Sequence, residues 1–127
     1  WLRRQLRKIM VYILLIVEKR GYRAGNDPAV ARDLYDQMVA FGQALAEQGK
    51  LLASESLRTD DHAIRISVNE SKQQLRDGPF AEAKEMVGGF YLIDVASRDE
   101  AVAIASRCPA VNWATVEVRE CAPCHIL

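Results

Sequence analysis

The sequence is poor in cysteine and has no excess of charge of either sign. Three cysteines and the lack of an export signal favour a reducing cytoplasm over a disulfide framework. Because 17 basic residues balance 17 acidic ones, no overall field would attract nucleic acid or an anionic membrane surface. We therefore expect a cytoplasmic protein whose partners include neither nucleic acid nor a membrane.

The sequence also has no apolar run long enough to span a bilayer. Its most apolar stretch, residues 9–17, follows a basic segment, and that order resembles a secretory signal. However, charged residues occupy positions 18–20, where a signal peptide would need small residues for cleavage. Three isoleucines and two valines bounded by charge instead predict a buried strand over 9–17. The basic residues 1–7 would then be a solvated tail or an extension of that strand.

Half of the residues are apolar, which suits a single compact domain, and we place this domain at residues 8–120. The segment after it, residues 121–127, contains Cys121, Cys124 and His125 in the C-x-x-C-H pattern of covalent haem attachment, and C-x-x-C alone matches a dithiol redox motif. The pattern lies at the extreme end, with no export signal and no helix start that would lower a thiol pKa. We interpret 121–127 as a flexible tail, with a redox or metal role as the alternative, and we assign no cofactor and no metal.

Capping residues mark two helices along the chain. Asp27 followed by Pro28 predicts the start of the first helix, and Gly49 predicts its end. Ser97 and Glu100 form a capping-box pattern, in which the Glu100 carboxylate would reach back to the Ser97 N–H. Apolar and alternating segments predict strands over 9–17, 51–57, 64–68, 73–76, 87–95 and 113–120.

This order predicts two β-α-β units separated by a hairpin. Two such units that share one mixed sheet, with both helices on one side, make a ferredoxin-like α+β sandwich. One sheet face would remain uncovered, and its strands are too apolar to meet water. We therefore expect a homodimer that packs sheet face to sheet face as a dimeric α+β barrel, with a pocket between sheet, hairpin and residues 76–89.

The segment 76–89 is the chemically richest part of the sequence. A stiff turn is predicted at residues 77–79, because Asp, Gly and Pro each restrict or permit particular backbone angles there. Buried by a dimer, its carboxylates would supply a general base with a raised pKa, and its lysine would steady a developing anion. Alternatively, Asp77 only holds the turn and the others form a solvated segment of mixed charge. The candidate catalytic residues are Asp77, Glu82, Lys84 and Glu85.

Further residues would contact a bound ligand around that segment. Gly88 and Gly89 at the start of a strand allow close approach of a ligand or of another backbone. Glu117 and Arg119 would line the same cleft, or else form an ordinary exposed strand face. The candidate ligand-binding residues are Phe80, Gly88, Gly89, Glu117 and Arg119.

The run Asp77-Gly78-Pro79-Phe80, together with residues 82–85 and 88–94, resembles the signature of the DGPF-domain branch of the YCII-related family. The resemblance extends over residues 8–119. It implies a dimeric ferredoxin-like or α+β barrel fold, an interfacial cleft and an enzymatic role without an assigned reaction. Relatives found beside extracytoplasmic sigma factors imply a regulatory context.

One position departs from the family pattern. The YCII side of the family is associated with a helix histidine and an acidic partner, and Met38 falls where that histidine would lie. A thioether cannot shuttle protons at neutral pH, so any acid/base chemistry must come from other residues; we interpret Met38 and Phe41 as core. Two function classes follow. One is a small enzyme or binder of an unidentified small molecule in the dimer cleft, and the other is a non-catalytic dimeric module that binds a sigma factor or other regulatory protein. We favour the first.

Overall fold

A computed structural model describes residues 9–127, and these residues form six β-strands and two α-helices. The predicted α+β class is confirmed, whereas the prediction for residues 1–7 lies outside the described residues. The elements in chain order are β1 (Met10–Lys19), α1 (Pro28–Glu47), β2 (Leu51–Ser56), β3 (Ile64–Asn69), β4 (Lys72–Asp77), β5 (Glu85–Val95), α2 (Arg98–Ser106) and β6 (Thr115–Glu120).

Four strands form one sheet in the order β2-β5-β1-β6, and β3 and β4 form a separate hairpin. Every neighbouring pair in the larger sheet is antiparallel. The expected mixed sheet is therefore wrong. The reason is that β5 lies between β1 and β2, so the two strands joined through α1 never pair with each other.

Both helices cover the same face of the sheet. Alternate residues of β1 and β5 are buried there, beginning with Tyr12 and Leu14 on β1 and Tyr91 and Ile93 on β5. They form one core with residues of both helices, namely Leu45 of α1 and Ala101, Ile104 and Ala105 of α2. The other face of the sheet presents apolar side chains that stay partly exposed, namely Val11, Ile13, Leu15, Val17, Phe90 and Leu92.

The predicted helix ends are present. The Asp27 carboxylate accepts a hydrogen bond from Ala29 N at 3.3 Å, and Gly49 has a φ of +70°, as a residue just past a helix end often does. At α2, Ser97 Oγ accepts from Glu100 N at 3.1 Å. The Glu100 carboxylate accepts from the Ala96 N–H at 2.8 Å, one residue before the predicted donor.

Candidate functional site

The loop between β4 and β5 is held in place by Arg20, at the end of β1. Its Nη1 donates to Asp60 Oδ1 at 2.8 Å, and its Nη2 forms a second contact with Asp60 Oδ2. The same guanidinium donates to the carbonyls of Phe80 at 2.9 Å and Ala83 at 2.7 Å. Phe80 N in turn donates to Asp60 Oδ2 at 3.2 Å. The loop backbone is thus held by hydrogen bonds to the Arg20–Asp60 ion pair, whose two residues are both distant from the loop in sequence.

Gly78 is required in this loop because the chain passes close to another turn. A Cβ at Gly78 would overlap the carbonyl oxygen of Asp60, and Gly78 N donates to the carbonyl of Ala63 at 2.8 Å. Asp77, the last residue of β4, is exposed and faces Ile64 across the hairpin.

The Arg20–Asp60 pair gives a testable dependence of stability on pH. The hydrogen bond from Arg20 lowers the pKa of Asp60 from an ordinary 3.8 to about 2. Since the folded pKa lies below the unfolded one, the pair stabilises the fold above pH 4, and this contribution disappears as pH falls from about 4 to about 2. We expect Asp60→Asn to lower the urea midpoint at pH 7. Between about pH 4 and about pH 2, the urea midpoint of Asp60→Asn should fall much less than that of the wild type.

The matched control for this experiment is Asp33→Asn, an exposed site on α1 whose side chain accepts a hydrogen bond from Gln37 in the same helix. Urea midpoints measured at several pH values should follow the wild-type profile in Asp33→Asn. An unchanged acid profile in Asp60→Asn would show that the pair does not anchor the loop.

Phe80 is buried, with 3% of its surface exposed, and two arginines of the hairpin lie over its ring. The Arg65 and Arg76 guanidinium carbons are 3.8 Å and 5.2 Å from the ring centroid. Arg76 also donates to both oxygens of the Glu82 carboxylate, at 2.7 and 2.8 Å. Phe80 therefore anchors the loop to the hairpin through cation–π contacts.

Of the four predicted catalytic residues, Glu82 and Lys84 lie in this loop, and Asp77 and Glu85 lie at its two ends; all four are exposed. The Glu82 backbone N–H and then Arg76 lower the pKa of Glu82, whereas a general base needs the opposite shift. Lys84 contributes its carbonyl, which accepts from Arg20 N at 2.9 Å, and Glu85, at the start of β5, lies opposite Lys19 in the backbone register of β1 and β5. General-base chemistry here remains a prediction that requires a second subunit to bury the cluster.

The predicted ligand residues on β6 lie elsewhere. Glu117 and Arg119 are on the sheet face opposite the helices, where Glu117 Oε2 is 3.8 Å from Arg119 Nε and both side chains are exposed. The ligand role of this pair is likewise still a prediction.

A cavity of about 530 Å³ lies between α1 and the strands β1, β2 and β5. Apolar side chains form much of its wall, among them Ile16, Leu34, Met38, Tyr91 and Trp113. Gly88 and Gly89 line it, whereas the cavity-lining residues of the described chain include none of Asp77, Phe80, Glu82, Lys84, Glu85, Glu117 and Arg119.

An ion pair between Glu18 and Arg23 forms part of the polar wall of the cavity. Glu18 continues the buried alternation of β1, and its side chain is 8% exposed. Its Oε1 lies 2.7 Å from Arg23 Nε, in a charge contact whose geometry is not that of a hydrogen bond. Arg23 also donates to the carbonyls of Leu57 at 2.6 Å and Gly88 at 3.0 Å. A buried carboxylate is thereby held against the floor of the cavity.

The glycine pair makes this arrangement possible. Gly88 lies at an irregularity in the pairing of β1 with β5, and a Cβ there would be 2.6 Å from Arg23 Nη2 and 2.7 Å from Glu18 Oε2. A Cβ at Gly89 would be 2.9 Å from the carbonyl oxygen of Glu55 on β2. Each glycine thus admits a close neighbour within the chain, a side-chain pair in one case and a backbone in the other.

Tyr91 closes the cavity towards the core. Its hydroxyl donates to the Met38 carbonyl at 2.6 Å, its ring meets Phe41 edge-to-face at 5.2 Å, and burial raises its pKa. Met38 and Phe41 pack against the core, as predicted. Met38 Sδ is 4.0 Å from the sulfur of Cys108, whose pKa is also raised by burial, so this thiol is poorly suited to react.

Sequence reasoning missed Glu18 and Arg23. A signal for Glu18 was present, because it falls two residues after Ile16 in the period-2 series that also contains Tyr12 and Leu14. A carboxylate in a buried position of that series indicates a charged partner. Arg23 lies in a short 3-10 turn and carries no comparable signal.

No group of three or more His, Cys, Asp or Glu side chains in residues 9–127 could hold a metal ion. Cys121 and Cys124 are exposed, and the tail prediction for residues 121–127 remains a prediction. Neither helix of the described chain is both long and apolar enough to cross a membrane.

Fold and cavity together define a small α+β protein with a largely apolar, open cavity and an ion-paired carboxylate in its wall. The family model of the YCII-related domain matches residues 10–124, and the chain belongs to this family. The chain is also 39% identical over 90 residues to an uncharacterized protein of Rhizobium meliloti (strain 1021), an alignment that covers 71% of this chain and 69% of that protein. The predicted family is confirmed, while assignment to the DGPF branch remains a prediction.

Proposed function

We propose that this protein is a small enzyme or binding protein that takes a small organic molecule into the cavity between α1 and the sheet. The cavity itself is the observation that carries the proposal. Its volume of about 530 Å³ falls in the range of small-molecule pockets, which are typically about 300–1,000 Å³. Apolar walls with a few placed polar groups are also typical of such sites.

The proposal includes a ferredoxin-like topology and a homodimer. The chain order β-α-β, hairpin, β-α-β and the antiparallel sheet order β2-β5-β1-β6 support the topology. The apolar sheet face opposite the helices supports the dimer. Packing this face against the same face of a second copy would remove it from water and so lower the free energy.

In this proposal the residues in and beside the β4–β5 loop form a rim, and a second subunit is needed to complete the site at that rim. Asp77, Glu82, Lys84 and Glu85 are exposed in the single chain, so any catalytic role requires a second subunit that removes water from them. Under this proposal, Phe80 holds the rim to the hairpin, and Glu117 and Arg119 lie on the face that the second subunit would cover.

A cavity-blocking variant tests the binding proposal. Ala46 is exposed and lines the cavity, so Ala46→Trp should fill the opening without disturbing the core. A metabolite library screened by thermal shift should yield ligands that stabilise the wild type, since a ligand at a hundredfold excess over Kd contributes about 2.7 kcal/mol. We expect Ala46→Trp to abolish that shift.

Ala40→Trp is the matched control, because Ala40 is exposed on the same helix and does not line the cavity. Its thermal shifts should equal those of the wild type. Ligands that stabilise Ala46→Trp as much as Ala40→Trp would bind somewhere other than the cavity and would contradict the proposal.

A second candidate function is binding of a regulatory protein such as a sigma factor, and the hairpin favours it. Ile64, Ile66, Val68 and Leu75 share one face of β3 and β4, and Ile66 and Leu75 are 59% and 61% exposed. A purified extracytoplasmic sigma factor should then bind the wild type and Ala46→Trp equally, but not Ile66→Ser. Equal binding by Ile66→Ser would reject the hairpin as the contact surface.

A further inference from the structure

We propose that the cavity selects an uncharged organic molecule over acids and amines of the same shape. This inference rests on the proposed function and names the ligand class for the same site. Three features of the wall support it: the mutual pairing of its charges, its neutral polar side chains and its aromatic rings.

The charges that face the cavity neutralise each other. Among the described residues, Glu18 and Arg23 contribute them, and the two form an ion pair. Glu55 also borders the cavity, but it lies beside Phe90 in the register of β2 and β5, which puts its side chain on the sheet face opposite the helices. The part of α1 that lines the cavity contributes no charged residue within the described chain; its lining residues recur at helical spacing and are Ala31, Leu34, Tyr35, Met38, Val39, Gly42, Gln43 and Ala46.

An ionic ligand could use the Glu18–Arg23 pair only by breaking it. Arg23 Nε contacts Glu18, and Nη1 and Nη2 donate to the carbonyls of Leu57 and Gly88. An acid that captured this guanidinium would leave the Glu18 carboxylate, which is 8% exposed, unpaired in a buried position. An amine that captured the carboxylate would displace Arg23 in turn. An ion that left the pair intact would lose hydration without gaining an opposite charge.

Neutral polar side chains supply hydrogen-bonding groups to the same wall. Ser54 lies opposite Tyr91 in the register of β2 and β5, which puts it on the helix side, and Ser56 follows two residues later on that side. Asn26 and Gln43 contribute side-chain amides. Within residues 9–127 these two hydroxyls and two amides make no hydrogen bond to the protein. They are therefore available to a hydroxyl, carbonyl or amide group of a ligand.

Aromatic rings in the wall would bury the body of such a ligand. They belong to Tyr22, Tyr35, Tyr91 and Trp113. Aromatic surfaces of this size bury a flat apolar group favourably and require no charge on it. The wall thus suits an apolar body that carries a neutral hydrogen-bonding group.

Three probes that share a benzyl group test the inference: phenylacetamide, phenylacetate and phenethylamine, which are neutral, anionic and cationic at pH 7. The amide and the carboxylate have nearly the same shape, so a difference between their affinities reports the charge. Ligand-observed NMR titrations should give phenylacetamide an affinity at least about fivefold higher than that of either ion, because each ion loses hydration on entering the cavity. A smaller preference, or tighter binding of either ion, would overturn the inference.

A charge placed in the wall by mutation gives a second readout. Ala46 is exposed and lines the cavity, so Ala46→Glu adds an unpaired carboxylate there without altering the core. It should raise the affinity for phenethylamine at least about threefold and change that for phenylacetamide by less than about twofold. Ala44→Glu is the matched control, because Ala44 is exposed on the same helix and does not line the cavity; its affinities should equal those of the wild type. Amine binding that is unchanged in Ala46→Glu, or raised equally in both variants, would overturn the inference.

Failure of this inference can be distinguished from failure of the proposed function. If an ion binds better than the amide and Ala46→Trp abolishes its binding, the inference fails and the proposed function survives. If no probe binds, the library ligands that Ala46→Trp excludes decide the question, because uncharged molecules among them would support the inference and ions would overturn it. If neither a probe nor a library ligand requires the open cavity, both fail.

Discussion

Leu15→Lys should convert the proposed homodimer to a monomer. Leu15 lies on the sheet face opposite the helices, between Phe90 on β5 and Glu117 on β6. In a single chain the new ammonium would lie directly across from the Glu117 carboxylate, an opposite-charge pair that an antiparallel sheet tolerates well. In a face-to-face dimer the same ammonium would be removed from water, which costs free energy. Because the dimer is symmetric, each of its two subunits would contribute this desolvation cost. We expect the dimer Kd to rise by about 100-fold or more.

Sedimentation velocity over a range of protein concentrations measures this change. Val30→Lys is the matched control, because Val30 is an exposed residue of α1 on the helix side of the sheet, and it should leave the dimer intact. A wild type that sediments as a monomer at tens of micromolar, or a Leu15→Lys protein that remains a dimer, would contradict sheet-to-sheet packing. Unfolding curves of Leu15→Lys would show whether the monomer is folded.

Local chemistry explains which parts of the fold could be predicted. Asp27 and Gly49 act on the ends of their own helix, and the groups involved are near neighbours in sequence. Their effect can therefore be predicted without knowing the tertiary structure. The same is true of the alternation in β1. Strand adjacency is different, because nothing in β1 or β2 alone indicates that β5 lies between them.

The candidate site could be predicted less well for the same reason. The sequence interpretation chose residues 76–89 because they form one continuous, chemically rich segment. The structure places the cavity between α1 and three strands, so its wall combines residues from Ile16 to Trp113 that form no continuous motif. Of the predicted segment, only the two glycines line the cavity. Their backbone requirement was visible in the sequence, but the neighbours that impose it were not.

Gly88→Ala is expected to destabilise the protein and to disturb the cavity at once. The added methyl would be 2.6–2.8 Å from Arg23 Nη2 and from the Glu18 carboxylate, so the pair must move. Overpacking of this kind costs about 1–3 kcal/mol, with a further cost if the buried carboxylate loses its partner. Urea unfolding monitored by circular dichroism measures the difference. Gly25→Ala, with nothing within 4 Å of its Cβ, should change stability by less than about 0.5 kcal/mol.

A double-mutant cycle tests whether Gly88→Ala destabilises the protein through contact with the Glu18 side chain or because β5 tolerates no substitution at this position. If the methyl at position 88 acts through the Glu18 side chain, removing that side chain in Glu18→Ala should make room for it, and Gly88→Ala should then cost less than in the wild type. A coupling of about 1 kcal/mol or more is expected for two groups in direct contact. Additive effects would mean that the backbone irregularity alone requires glycine, and that the Glu18–Arg23 pair can shift without loss. Since the same pair forms part of the polar wall of the cavity, the sign of this coupling also indicates whether a glycine at position 88 is needed to hold the Glu18 carboxylate in that wall.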